Sequence, residues 1–166
     1  MKTSNTLLFV AALAAGSFLH AAEPKTSSVT VNFKESERFT DAASRFNGGT
    51  DQGYLESLRT HIQKVGDHEL APGYKLEVTL TDVDLAGEFV PGNLNTQDVR
   101  IIKDIYIPRI TLSFRLLDAD GRVVKEGERK LTDLNFMSNI SLIDRNLPLY
   151  YDKALLSDWL KKELKS

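Results

Sequence analysis

Apolar and polar residues alternate along four stretches of the chain, and this two-residue period predicts strands. The first stretch is short and carries Val29, Val31 and Phe33. The other three cover residues 75–81, 105–117 and 122–132. Asp118-Ala-Asp-Gly121 lies between the last two and predicts a hairpin turn. Pro108 cannot donate a ladder hydrogen bond, so we expect it at an edge or at the beginning of its strand.

Two further segments show the three- and four-residue steps of an amphipathic helix. The first carries Leu55, Leu58, Ile62 and Val65. Thr50 or Asp51 can cap it. The second helix is predicted from about Pro148, a residue type that suits a first helical position. The resulting order is β-α-β-β-β-α. It predicts an α+β fold, a two-layer sandwich in which two helices cover one face of a mostly antiparallel sheet.

The N-terminus has the three parts of a secretion signal. Lys2 supplies the charge, residues 7–19 form an apolar run, and Ala21-Ala22 offers a small-residue exit. The run is shorter than the roughly 20 residues that a spanning helix needs, so a retained membrane anchor is the weaker interpretation. We therefore predict a cleavable signal peptide over residues 1–22, a flexible leader over 23–28 and a single α/β domain over 29–166. The predicted location is the periplasm.

Composition narrows the classes of partner. The chain contains no cysteine, which excludes disulfides and lipidation of an N-terminal cysteine. Loss of residues 1–22 removes one basic residue, Lys2, and changes the net charge from −2 to −3. A mildly acidic domain lacks the basic stripe of a nucleic-acid-binding protein and the polybasic patch that anionic lipids attract. No motif indicates a cofactor.

Five blocks of the sequence together resemble a bacterial family known only as domain of unknown function 3016. They are Thr81-Asp-Val-Asp-Leu-Ala-Gly87, Gln97-Asp-Val-Arg100, Asp104-Ile-Tyr-Ile-Pro-Arg-Ile110, Leu117-Asp-Ala-Asp-Gly121 and Tyr151-Asp-Lys-Ala-Leu-Leu-Ser-Asp-Trp159. The resemblance covers nearly all of residues 29–164. It implies a small exported bacterial protein, and it assigns no catalytic residue.

The three long strands, if they form a meander, bring polar residues to one end of the sheet. The exit of the first strand, the entry of the second and the exit of the third all lie at that end. The candidate polar cluster comprises Thr81, Asp82, Asp84, Arg100, Asp104, Arg109, Thr132 and Asp133. Such a cluster can bind a cation, position a polar ligand or hold a carboxylic acid of raised pKa. The structural alternative is that these side chains satisfy loop amides and that the arginines pin the loop 86–98.

Other candidate chemistry is weaker. His61 and His68 lie two turns apart, too far to share one metal ion, so we expect both on a solvated helix edge and predict no metal site. Asp118-Ala-Asp-Gly121 is similar to part of a calcium-binding loop. Such a loop needs oxygen ligands at the positions of Leu116 and Gly127, so we predict no calcium site here. Tyr150, Tyr151 and Trp159 are partner-contact candidates, because aromatic side chains dominate binding hot spots. The alternative places Trp159 in the core, with one tyrosine over the sheet edge.

These observations favour a non-enzymatic binding or accessory module of the cell envelope. Its expected partner is an unknown envelope protein or a small ligand, with no stable membrane anchor after signal cleavage. One alternative is a hydrolase that uses Asp82, Asp84, Asp104 and Asp133, since paired carboxylates can cleave glycosides. The other is a domain that binds a divalent cation.

Overall fold

A computed structural model describes residues 27–42, 50–89, 100–138 and 147–165. The predicted signal peptide and most of the predicted leader lie outside these residues. Within these ranges, no helix has the length and apolar content that crossing a membrane requires. The leader's last residues are held: the Ser28 amide donates to the Asp67 carboxylate at 2.8 Å.

The main sheet has four strands: β1 (Val29–Phe33), β2 (Lys75–Asp84), β5 (Arg109–Leu117) and β6 (Val123–Thr132). Their order is β1-β2-β5-β6. β1 runs parallel to β2, and the other neighbours are antiparallel. This arrangement confirms the predicted meander. A second sheet contains only β3 (Glu88–Phe89) and β4 (Arg100–Ile101), which the sequence pattern did not predict.

Two helices, α1 (Gln52–Glu69) and α2 (Tyr150–Leu164), complete the domain. Of the two predicted caps, Thr50 and Asp51, it is Asp51 that caps α1, since its carboxylate accepts hydrogen bonds from the Gly53 and Tyr54 amides. Leucines of both helices share one buried cluster with the alternate apolar residues of β1, β2 and β5. Because those strand residues all lie on one face, the helices cover that face. The predicted α+β class is confirmed.

A β-bulge near Thr81 determines which residues of β2 face the helices. Leu76, Val78 and Leu80 are buried, and after the register shift the buried positions become Val83 and Leu85. The two-residue period changes phase there, so the sequence pattern ended this strand at residue 81 when it in fact runs to Asp84. Asp82 and Asp84 consequently lie on the opposite face of the sheet from the helices.

Three other predictions need correction or refinement. β5 begins at Arg109, directly after Pro108, as the missing proline donor requires. α2 begins at Tyr150, two residues after the predicted Pro148, because Leu149 adopts a left-handed conformation with φ +56°. The prediction that both histidines are solvated is wrong for His61. Its Nε2 lies 2.9 Å from the Lys153 carbonyl oxygen and 2.8 Å from Ser157 Oγ, between the helices. His68 is exposed.

Candidate ligand-binding cleft

Arg100 of β4 binds Asp41, a residue that follows β1. Its guanidinium donates to both carboxylate oxygens, at 2.6 and 3.1 Å, and to the Gly87 carbonyl oxygen at 2.6 Å. The Arg100 side chain is 11% exposed and also stacks over the Phe89 ring. Arg100 therefore fastens the small β3–β4 sheet to the end of the main sheet.

Asp41 reaches this position because parallel pairing continues beyond β1. The Asp41 amide donates to the Val83 carbonyl oxygen at 2.9 Å, and the Leu85 amide donates to the Asp41 carbonyl oxygen at 3.2 Å. These bonds extend the ladder along the last residues of β2. They fix the Asp41 carboxylate where Arg100 can meet it.

Asp152, in the first turn of α2, is a second buried carboxylate of this region. It is 2% exposed, and it accepts a hydrogen bond from the Ala86 amide at 2.9 Å. Burial raises the pKa of Asp152 to about 6, against the opposing effects of the backbone amides and of nearby Arg100. Arg100 and Asp152 thus hold residues 85–87 from two sides.

The predicted polar cluster is divided into separate small groups. Asp84 pairs with Arg109 at 3.0 Å, and Thr132 is the cross-strand neighbour of Arg109. Asp82 accepts two hydrogen bonds from Thr40. The other members have different hydrogen-bond partners. Thr81 donates to the Thr111 carbonyl oxygen, and Asp133 accepts from the Asn135 amide. Arg100 binds Asp41, and Asp104 is exposed in a turn.

This division affects the two alternatives to a binding function. In the part of the chain that the structure describes, no three histidine, aspartate or glutamate side chains converge as metal ligands. Asp82 and Asp84 each have a partner of their own, Thr40 and Arg109 respectively. The geometry therefore gives no specific support to the hydrolase or to the divalent-cation site.

An open cleft of about 470 Å³ lies at the same end of the sheet. Its walls come from residues 40–41, 84–85, 87–89 and 105–107 and from Arg109. We call it the sheet-end cleft. Two members of the predicted cluster, Asp84 and Arg109, line it. Gly87 closes one wall at φ +80°, where a Cβ would lie 2.8 Å from the Ile101 carbonyl oxygen, so only glycine fits.

The three aromatic partner-contact candidates lie mostly inside the protein. Trp159 and Tyr150 are 6% and 7% exposed. Trp159 packs edge-on against Phe114, and Tyr151 packs edge-on against Phe136. Burial of Tyr150 and Trp159 leaves little of either ring for a partner to contact, which agrees with the core interpretation of Trp159.

Sequence reasoning missed Asp41 and Asp152. Asp41 lies in a polar stretch without periodicity, and no sequence signal could have placed it. Asp152 did leave a signal: Asp152, Leu156, Trp159 and Glu163 recur at helical spacing and are all buried. An acid on the apolar stripe of a helix indicates a buried charge that needs partners. Glu163 meets that need through Arg129 and Lys125, both within 3.0 Å.

The chain matches the model of a protein family. The family described as Protein of unknown function (DUF3016) matches residues 27–162. The chain belongs to this family. The match includes every strand and almost all of α2, so the sheet-end cleft lies wholly within the family domain. No curated protein matches the chain.

Proposed function

We propose that this protein is an exported, non-enzymatic binding module of the cell envelope and that it contacts its partner through the sheet-end cleft. One observation carries the proposal. The cleft has an open, partly apolar wall, and two of its three carboxylates already have arginine partners, Asp41 with Arg100 and Asp84 with Arg109. A general acid or base must be within reach of the substrate and have a proton to exchange. Because carboxylates held in ion pairs with arginine are poorly suited to exchanging protons, Asp41 and Asp84 are better suited to shaping a binding surface than to catalysis.

Exposure at the cleft's edge supports the same proposal. Ile105 lines the cleft and is 67% exposed. Single exposed apolar residues are common on protein surfaces. An exposed isoleucine beside a concave site is also well placed to pack against a bound partner, since interface cores are apolar and their rims polar.

Photo-crosslinking in the native host tests this function. With p-benzoylphenylalanine in place of Ile105, we expect a discrete adduct, identified by mass spectrometry, with an envelope component. Val124 is 50% exposed on β6, outside the cleft, and provides the matched control position. Equal adduct formation at both positions, or none at position 105 above background, would overturn the proposal.

Export has a test of its own. We expect the mature protein, purified from whole cells of the native host, to begin at Glu23, because Ala21-Ala22 offers the small-residue exit of the signal. N-terminal sequencing measures this directly. A mature protein that begins at Met1 would contradict the signal peptide and with it the proposed location.

A further inference from the structure

The sheet-end cleft carries more acidic than basic side chains. Asp41, Asp84 and Glu88 line it, and Arg109 is its one basic lining residue. Asp41 and Asp84 already have arginine partners. Glu88 is exposed, and no basic group pairs with it among the described residues.

The remaining wall of the cleft is apolar and aromatic. Phe89, Ile105, Tyr106 and Ile107 line the cleft together with Glu88. Phe89 is fixed by the stacked Arg100 guanidinium, 4.8 Å from the ring centre. The Gly87 amide donates to the Tyr106 carbonyl oxygen at 3.1 Å, which holds the 105–107 segment next to β3. A carboxylate and an apolar wall are thus kept side by side.

We infer that the cleft binds an extended polypeptide segment of a partner, with a lysine or arginine at Glu88 and a neighbouring apolar side chain against Ile105. This inference rests on the proposed function and specifies its ligand. A basic side chain complements the exposed Glu88 carboxylate, which has no basic partner in the part of the chain that the structure describes, and an acidic segment is repelled by the same wall. A small polyamine could neutralise the Glu88 carboxylate but would leave the apolar wall exposed to water, so a polypeptide fits the cleft better.

Fluorescence anisotropy with defined peptides tests the ligand class. The probe is a fluorescein-labelled peptide with Leu-Lys-Leu between Gly-Ser repeats, titrated with the purified protein. Matched peptides carry Leu-Glu-Leu or Ser-Lys-Ser at the centre, and spermidine serves as a competitor. We expect Leu-Lys-Leu to bind at least tenfold tighter than either matched peptide, with weaker binding at higher salt. Millimolar spermidine should displace less than half of it.

Variants locate the binding. Glu88→Lys should weaken Leu-Lys-Leu binding at least fivefold, and Ile105→Ser at least threefold. Both positions are exposed, so neither change is expected to affect folding. Glu128→Lys makes the same charge change on β6, outside the cleft, and should alter binding less than twofold. Weakening by Glu128→Lys equal to that by Glu88→Lys would overturn the inference.

Other outcomes separate this inference from the proposed function. Equal affinity for the Leu-Lys-Leu and Leu-Glu-Leu peptides overturns the basic ligand class. Equally strong displacement by spermidine shows that a small cation suffices and overturns the polypeptide. In either case an adduct at position 105 in cells still supports the proposed function. Absence of the adduct at position 105 overturns the proposed function itself.

Discussion

Arg100→Met is expected to lower the free energy of unfolding by about 3 kcal/mol, which is near the lower end of the cost of breaking a buried ion pair. The substitution leaves the Asp41 carboxylate and the Gly87 carbonyl oxygen without their donor. Asp41 keeps 28% exposure of its side chain, so water recovers part of the loss. Urea unfolding followed by the fluorescence of Trp159, the one tryptophan, measures the change.

Arg109→Met is the matched control for this prediction. It makes the same substitution in the Asp84–Arg109 pair, where the arginine side chain is 56% exposed. An exposed pair contributes about 0–1 kcal/mol, so the control should change stability little. A second substitution, Asp41→Asn, should restore part of the stability of Arg100→Met by removing the unpaired charge. Equal destabilisation by Arg100→Met and Arg109→Met would show that Arg100 does not fasten the cleft wall.

Asp152→Asn is expected to change the pH dependence of stability. The carboxyl has a pKa near 3.8 in the unfolded chain and about 6 in the folded protein, because burial disfavours its charged form. Well below pH 4 the carboxyl is protonated in both the folded and the unfolded state, and its burial does not lower the free energy of unfolding through charge. As the pH rises from 4 through 6, the unfolded chain releases the proton first, and the free energy of unfolding falls. The shift corresponds to a loss of roughly 2–3 kcal/mol between pH 4 and pH 8.

Asparagine at position 152 carries no proton, and its side-chain oxygen can still accept from the Ala86 amide. Between pH 4 and pH 8, the free energy of unfolding of Asp152→Asn should therefore rise by roughly 2–3 kcal/mol relative to that of the wild type. Asp120→Asn provides a control, since the Asp120 side chain is 69% exposed. Parallel pH profiles for wild type and Asp152→Asn would contradict the raised pKa.

The sheet and its helices could be predicted from local periodicity because each element buries one face. The Leu55, Leu58 and Ile62 steps and the alternation in β5 are sufficient for this. The bulge at Thr81 was hidden, because a change of phase in an alternating pattern looks like the end of a strand. β3 and β4 have only two residues each, too few to establish a period.

The candidate site was predictable only in part. The meander places Asp84 and Arg109 at one end of the sheet, and the structure pairs them. The partner of Arg100 was not predictable, because Asp41 is 59 residues away in a stretch without periodicity. The cleft depends on that contact and on the burial of Asp152 against Ala86. Long-range pairs of this kind come from tertiary structure and leave no local pattern.

The central claim is that the sheet-end cleft is where the protein meets its partner. The most direct measurement is the yield of photo-crosslinked adduct at position 105 divided by the yield at position 124, in cells of the native host at equal protein levels. A ratio well above one, which falls when Glu88→Lys is added, is the expected result. A ratio near one would contradict the account, whereas a high ratio that Glu88→Lys leaves unchanged would overturn only the basic ligand class.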